Sequence, residues 1–289
     1  MDSQAKIPLR VKMMQWFFRI AGNIAPRATM PVLIKFMFLP QKRTLKPPHI
    51  ECLNKGEQFF IDVHDFLDNS KTLKMSCYSW GTGEKIVLLV HGWDAKALDY
   101  YKMIPVLLEN GYKVVAFDGP AHGQSEGELS NLIHFKEAMG KLVHIIGNPY
   151  AIIGHSMGGG ASAYYLIEEA VQVERLVLLA IPVISKRFFD MAFDFMKVPQ
   201  RLRKVIFTSM EETFGKPIEY YHLAERPEPI KADKIFLVYE EQDEEIPVDE
   251  IKLLLDKHPE IKSMSTNGVG HNRVMKDKAV IDAVVDFLK

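Results

Sequence analysis

The stretch "AIIGHSMGGG", residues 151–160, is an apolar run that halts at a serine ringed by glycines. Ala151, Ile152 and Ile153 read as the end of a buried strand, and Ala161, Tyr164, Tyr165 and Ile167 as the helix after it. Between them Gly154, Ser156 and Gly158 spell G-x-S-x-G, and Gly159 and Gly160 follow at once. A strand that turns straight into a helix strains the turn residue and leaves no room for Cβ atoms beside it. Such a turn would lift the Ser156 hydroxyl over the sheet edge, where a substrate can reach it. The pattern also arises by chance in loops, so its weight comes from the flanking elements and from partners elsewhere.

Outward from this point the chain alternates strands and helices. Residues 58–63 and 73–79 alternate apolar and polar positions, as half-buried antiparallel strands do. The run 85–90 is apolar enough to be a central strand buried on both faces. A helix is expected over 97–109, a strand over 113–117, a helix over 132–146, and then the strand into Ser156. A helix to Ala170 and a strand over 175–180 follow. After Pro182 the rhythm breaks: residues 183–230 carry many Phe, Met, Lys and Arg and read as short helices. The sheet resumes over 235–239, with a helix near 248–256, a strand near 263–266 and a last helix over 276–288. This alternation predicts an α/β fold with a mostly parallel sheet flanked by helices. The greasy segment after the sixth strand is expected to be a helical lid or cap, offering Phe188, Phe189, Phe193, Phe195, Phe207 and Phe214, with Met191, Met196 and Met210, as an apolar wall.

The 289 residues are enough for a full hydrophobic core, and the composition is that of an ordinary globular protein. The net charge of −1 gives no reason to expect a nucleic-acid partner. Cys52 and Cys77 read as reduced thiols, and a cytoplasmic protein, with membrane association as the alternative, is expected. Charge is unevenly spread, however. Residues 1–50 hold nine Lys and Arg, Lys6 among them, against Asp2 alone, a net +8 that leaves −9 for the rest. Two apolar runs, 13–21 and 31–39, sit in this basic extension, and neither is long enough to span a membrane. Helices packed on the domain are the first expectation, removing Trp16, Phe17, Phe18, Val32, Leu33 and Phe36 from water; weak peripheral membrane contact is the second. Pro47-Pro48 marks the end of the extension, which divides the chain into 1–50, a core of 51–182 with 231–289, and the cap 183–230.

A serine hydroxyl needs a base to become a nucleophile, and the base needs a carboxylate to orient it. His155 adjoins Ser156, but in a tight turn its ring points away. His91 reads as a brace for its own loop. His271, in Gly268-Val269-Gly270-His271 between the last strand and the last helix, can hang over the sheet edge and is the favoured base. For the carboxylate, Asp243 is the single aspartate in the loop after the strand at 235–239, with Glu241, Glu244 and Glu245 as alternatives. An oxyanion would take backbone N–H groups from Met157, opening the helix, and from Trp93, after Gly92. No pair of histidines has metal-binding helical spacing, and neither a metal nor a cofactor is expected.

H-G-W at 91–93, DGPAHGQSEG at 118–127, GHSMGG at 154–159, D-x-x-I-P at 243–247 and GVGH at 268–271 together resemble the α/β-hydrolase superfamily. The resemblance covers about residues 57–289, in family order. It implies Ser156 as nucleophile, His271 as base, Asp243 as acid, and Trp93 and Met157 as oxyanion hole. It also implies a lid between the strands near 180 and 235. The family often has a glycine three residues before the acid, where this chain has Glu240. The basic extension lies outside the family's common core. A serine hydrolase of carboxylic esters with apolar acyl groups is the function expected, and a small-molecule ester the expected partner. The alternatives are an amide or C–C bond hydrolase with the same triad and a non-catalytic binding protein on the same scaffold.

Overall fold

The structure, a computed structural model, describes residues 8–65, 68–226 and 228–289; Asp2 and Lys6 of the basic extension and Pro227 of the expected cap lie outside them. The chain begins with α1 (Leu9–Ile24), α2 (Pro26–Phe38) and α3 (Pro47–Leu53). Then come β1 (Glu57–Asp65), β2 (Asp68–Trp80), β3 (Ile86–Val90), α4 (Met103–Glu109), β4 (Lys113–Phe117) and α5 (Leu132–Ile146). After these run β5 (Ala151–His155), α6 (Met157–Glu168), β6 (Val173–Leu179), α7 (Ser185–Phe195) and α8 (Gln200–Phe214). The chain closes with β7 (Ala232–Glu240), α9 (Val248–Lys257), β8 (Lys262–Thr266) and α10 (Lys278–Leu288). Two compact units result: Leu39–Val183 with Leu223–Lys289, and the chain up to Phe38 with Ile184–His222.

The larger unit is built on an eight-stranded sheet in the order β1-β2-β4-β3-β5-β6-β7-β8. β1 pairs antiparallel with β2 and β2 with β4, and every pairing from β4 to β8 is parallel. Side chains alternate across a strand. Val87, Leu89, Val114, Ala116, Ile153 and Val177 therefore share one face, where they cluster with Met103, Ile104 and Leu107 of α4 and Val280, Ile281 and Val284 of α10. Leu88, Val115 and Ile152 point to the other face and are equally buried. Burial on both faces is why these strands are continuous apolar runs. α5 starts where the Asn131 side chain accepts the His134 amide at 2.8 Å, and it buries Phe135, Ala138, Met139 and Leu142 at helical spacing.

Two local expectations are corrected. The helix foreseen over 97–109 is a short turn, Ala97–Tyr100, followed by α4. Pro105 has no N–H to give to the carbonyl of Tyr101, so the helix restarts at Met103 with the proline in its first turn. Pro47 and Pro48 do not mark a boundary; they open α3, where a missing N–H costs nothing.

The second unit joins the ends of a long stretch of chain. Phe18 of α1 and Leu33 of α2 form one cluster with Phe193, Met196, Val198, Leu202 and Ile206 of the α7–α8 segment. Each fully buried Phe or Leu contributes about 1.5–3 kcal/mol. α1 comes close to the start of α8 because residue 22 is glycine: a Cβ there would sit 2.9 Å from Cγ of Pro199. Gln15 Nε2 donates to the Phe195 carbonyl at 2.6 Å, and Arg201 Nη1 to the Asn23 carbonyl at 2.9 Å. The basic extension and the expected cap are thus one helical unit rather than two, and residues 39–50 and 223–230 belong with the sheet. Phe18 and Leu33 are fully buried, but Trp16, Phe17, Val32 and Phe36 stay exposed, against the expectation that packing would cover all six. Phe193 and its neighbours Phe189 and Phe207 serve this unit's own core, which corrects the view of them as an open apolar wall.

Candidate active site

Ser156 stands between β5 and α6 with φ 49° and ψ −124°, a left-handed conformation that side chains rarely adopt. The surrounding glycines are what make this turn possible. A Cβ on Gly154 would lie 2.4 Å from Cα of Gly159, and one on Gly158 would lie 2.2 Å from the His91 carbonyl oxygen. One on Gly159 would strike Ile181 Cγ2 at 2.4 Å, and one on Gly92 would lie 2.9 Å from Ser156 Cβ. The loop after β3 therefore lies directly against the serine turn. The Ser156 amide donates to the Leu179 carbonyl at 2.9 Å, tying the turn to the end of β6. Met157 is the first residue of α6, and N–H groups of a helix's first turn have no partner inside the helix.

The loop after β8 brings His271 to this turn. Its Nε2 is 3.0 Å from Ser156 Oγ, and its Nδ1 is 2.7 Å from Asp243 Oδ2. An ionised carboxylate only accepts, so the Nδ1–H faces Asp243 and Nε2 is left to accept from the serine. Asp243 Oδ1 accepts the amides of Glu245 and Ile246 at 2.8 and 3.0 Å, which fixes the carboxylate's direction. Burial works against the Asp243 charge, but the His271 hydrogen bond and charge and these amides hold its pKa below the usual aspartate value. Burial likewise opposes charging of His271; the Asp243 hydrogen bond, with the charges of Glu245 and Asp243, outweighs it and raises the pKa above 6.5. Of the other carboxylates in this loop, Glu245 approaches His271 from the opposite side, 3.5 Å from Nε2, and is half exposed.

Two residues grip the His271 loop, and neither role is visible in the sequence pattern. Glu240, at the end of β7, is buried and accepts the amides of Gly268, Val269 and Gly270 at 2.8–2.9 Å. Thr266 Oγ1 and the Gln242 amide add bonds of 3.1 and 3.3 Å. Burial disfavours this charge, yet the Gly270, Gly268 and Gln242 amides and Thr266 lower its pKa. The available signal was a glutamate ending a strand, together with a Gly-Val-Gly turn whose amides need an acceptor. His155 is the other grip: its Nε2 lies 2.9 Å from the His271 carbonyl oxygen. Burial and the neighbouring His271 push the His155 pKa down to about 3, so the ring is neutral and donates from Nε2.

His91 is fully buried; its Nε2 accepts the Gly119 amide at 2.8 Å, and its Nδ1 lies 2.7 Å from the Gly92 carbonyl oxygen. It braces two loops. Asp118, in the 118–127 motif, does the same by accepting the Ala97 and Gln124 amides and the Tyr78 hydroxyl at 2.8–2.9 Å. Trp93 lies in the turn after β3, its ring edge-on to His122 at 5.1 Å. Ser156, His271 and Asp243 are thus brought together, with Trp93 and Met157 in the two turns that meet at the serine. A serine hydroxyl, a neutral imidazole and a buried carboxylate in series can move a proton off the hydroxyl.

The profile of the alpha/beta hydrolase fold matches residues 85–222. Among characterised proteins, the chain is 32% identical over 108 residues to a non-heme haloperoxidase of Rhodococcus erythropolis, covering 36% of this chain and 39% of that protein. It is 26% identical over 151 residues to a bifunctional esterase/perhydrolase of Acinetobacter calcoaceticus, covering 50% and 52%. The matches thus span about half or less of these relatives' own lengths. Among solved structures, an esterase of Pyrococcus furiosus superposes with a TM-score of 0.61 at 19% identity, covering 86% of this chain and 95% of that one. The profile match and the superposition agree that this chain has the α/β-hydrolase fold.

Proposed function

We propose that this protein is a serine hydrolase that cleaves carboxylic esters through an acyl-enzyme. The observation that carries this reading is the hydrogen-bonded series Asp243–His271–Ser156 ending on a serine held at positive φ. In the proposed reaction the Ser156 proton passes to His271 Nε2 as Oγ bonds to the ester carbonyl carbon. The oxyanion so formed accepts from the Trp93 and Met157 amides. His271 then returns the proton to the departing alkoxide, the C–O bond breaks and an acyl-serine remains. A water gives its proton to His271 and attacks the acyl carbon, and the second collapse restores Ser156. Asp243 keeps the imidazole in the required tautomer and stabilises the imidazolium.

Labelling by a fluorophosphonate probe, lost in Ser156→Ala, tests the nucleophile. Removing it typically lowers turnover by about 10⁶-fold in enzymes of this mechanism. Hydrolysis of p-nitrophenyl esters of graded acyl length then tests the ester reading. Probe labelling without turnover of any ester would shift the reading to amides or C–C bonds. Absence of labelling in the wild type would leave a binding scaffold.

A further inference from the structure

α1 has two apolar faces, and the helical unit uses one of them. At about 100° per residue, Val11, Met14, Gln15, Phe18 and Gly22 fall on one side of the helix. This side is the one buried or half-buried in the unit. Leu9, Met13, Trp16, Phe17, Ile20 and Ile24 lie within an arc of about 100° on the opposite side. All six are exposed, Leu9, Trp16 and Ile24 by 68–75%. Scattered apolar residues on a surface mean little, whereas a continuous stripe marks a place of interaction. The borders of the stripe are cationic: Arg10 lies along one edge, and Lys12 and Arg19 along the other. No carboxylate occurs in α1 or α2. At the C-terminal end of the stripe, Arg27, Arg201 and Lys204 line a groove of about 980 Å³ that begins at Ala25, with one carboxylate, Glu212, on its wall.

We propose that this face of α1 docks the protein on an anionic lipid surface, the apolar stripe entering the headgroup–acyl boundary and the basic borders meeting lipid phosphates. An apolar stripe bordered by basic side chains is the arrangement that lies in such an interface. The 16-residue helix is too short to cross a bilayer, and no described helix is long and apolar enough to do so. A second copy of the chain fits less well, because a two-fold pairing along the stripe would set cationic borders against each other. The inference is independent of the catalytic reading, since its readout is binding.

The test uses the full chain with phosphatidylcholine vesicles, with and without phosphatidylglycerol. The wild type is expected to float with the mixed vesicles at low salt, with blue-shifted tryptophan emission, and to release as salt rises. Each of Arg10→Gln and Arg19→Gln should weaken binding about fivefold, and Ile20→Ser with Ile24→Ser should abolish it. These positions are exposed, so the melting transition should persist. W16F should still float but lose most of the emission shift. No flotation of the wild type with anionic vesicles at low salt would overturn the proposal, and that measurement needs no variant. Undiminished flotation of the Ile20/Ile24 variant would overturn it too. A wild-type dimer that this variant dissociates, without vesicle binding, would assign the stripe to self-association instead.

Discussion

Replacing Glu240 with glutamine keeps the side chain's shape and removes its charge from the loop that carries His271. In the native protein Oε2 accepts Val269, Gly270 and Thr266, and Oε1 accepts Gly268 and Gln242. The amide variant does best by leaving its oxygen toward Val269 and Gly270 and turning its NH₂ toward Gly268 and Gln242. Two N–H groups then face a donor. Hydrogen bonds to a charged acceptor are each worth about 1.5–3 kcal/mol, and the 3.3 Å Gln242 bond lies at the weak end. The expected loss is about 3–4 kcal/mol, a fall in Tm of about 6–8 °C for a chain of this size. His271 is the next residue after Gly270, so a released turn misplaces the imidazole. A shift of about 1 Å can lower turnover by about 100-fold. Thermal melting and p-nitrophenyl ester kinetics on Glu240→Gln measure both effects, with kcat falling by about 10–100-fold and KM nearly unchanged. There is also a pH signature. Because the folded pKa of Glu240 is depressed, its stabilisation is present above the unfolded value and is lost as pH falls through the folded one. Glu240→Gln should flatten that acid dependence. A variant with wild-type Tm, kcat and acid stability would refute the claim that Glu240 grips the loop.

The other expectations concern the site's own groups. Asp243→Asn should lower kcat by about 10⁴-fold, as loss of the orienting carboxylate does, while Glu244→Gln and Glu245→Gln should stay active; the opposite ranking would move the acid to a glutamate. In the proposed reaction the base is neutral His271, whose pKa is raised, so kcat/KM should rise with pH through an apparent pKa above 6.5. Glu245→Gln should move that limb to lower pH. His271's own contribution to stability has the opposite dependence, full below its unfolded pKa and lost as pH rises through the folded one. Gly158→Ala would place a Cβ 2.2 Å from the His91 carbonyl oxygen, and the soluble, folded fraction on expression should fall sharply. Deleting the residues up to Phe38 would uncover Phe193, Met196, Leu202 and Ile206, and should lower the melting temperature of the helical unit without any lipid present.

What could be read from the chain alone was what depends on neighbours in sequence. Gly154, Gly158 and Gly159 announce a turn too tight for side chains, and the Ala151–Ile153 run announces a strand buried on both faces. Ser156, Asp243 and His271 could be singled out because each ends or follows a strand at one edge of a parallel sheet. Other features depend on residues far along the chain. Nothing near Glu240 says that its carboxylate will meet amides 28–30 residues later. In α1 the periodicity shows apolar residues on both sides of the helix. Which side is covered is decided by α7 and α8, more than 150 residues away, so Phe18 and Trp16 could not be told apart. The Phe-rich insert misled for a related reason, because its aromatics had a core to fill whose other half lay at the start of the chain.

That separation has a consequence for synthesis. Helices α1 and α2 leave the ribosome before α7 and α8, which complete their core and follow roughly 175 residues later. At about 5–20 residues per second the wait is on the order of 10–35 s. Throughout it Phe18 and Leu33 have no permanent cover, and the nascent chain presents α1 with both of its greasy sides bare. The sheet can assemble in part meanwhile, since β1 to β6 lie between these helices and their partners. Vectorial growth therefore makes the helical unit the last part of the early chain to settle.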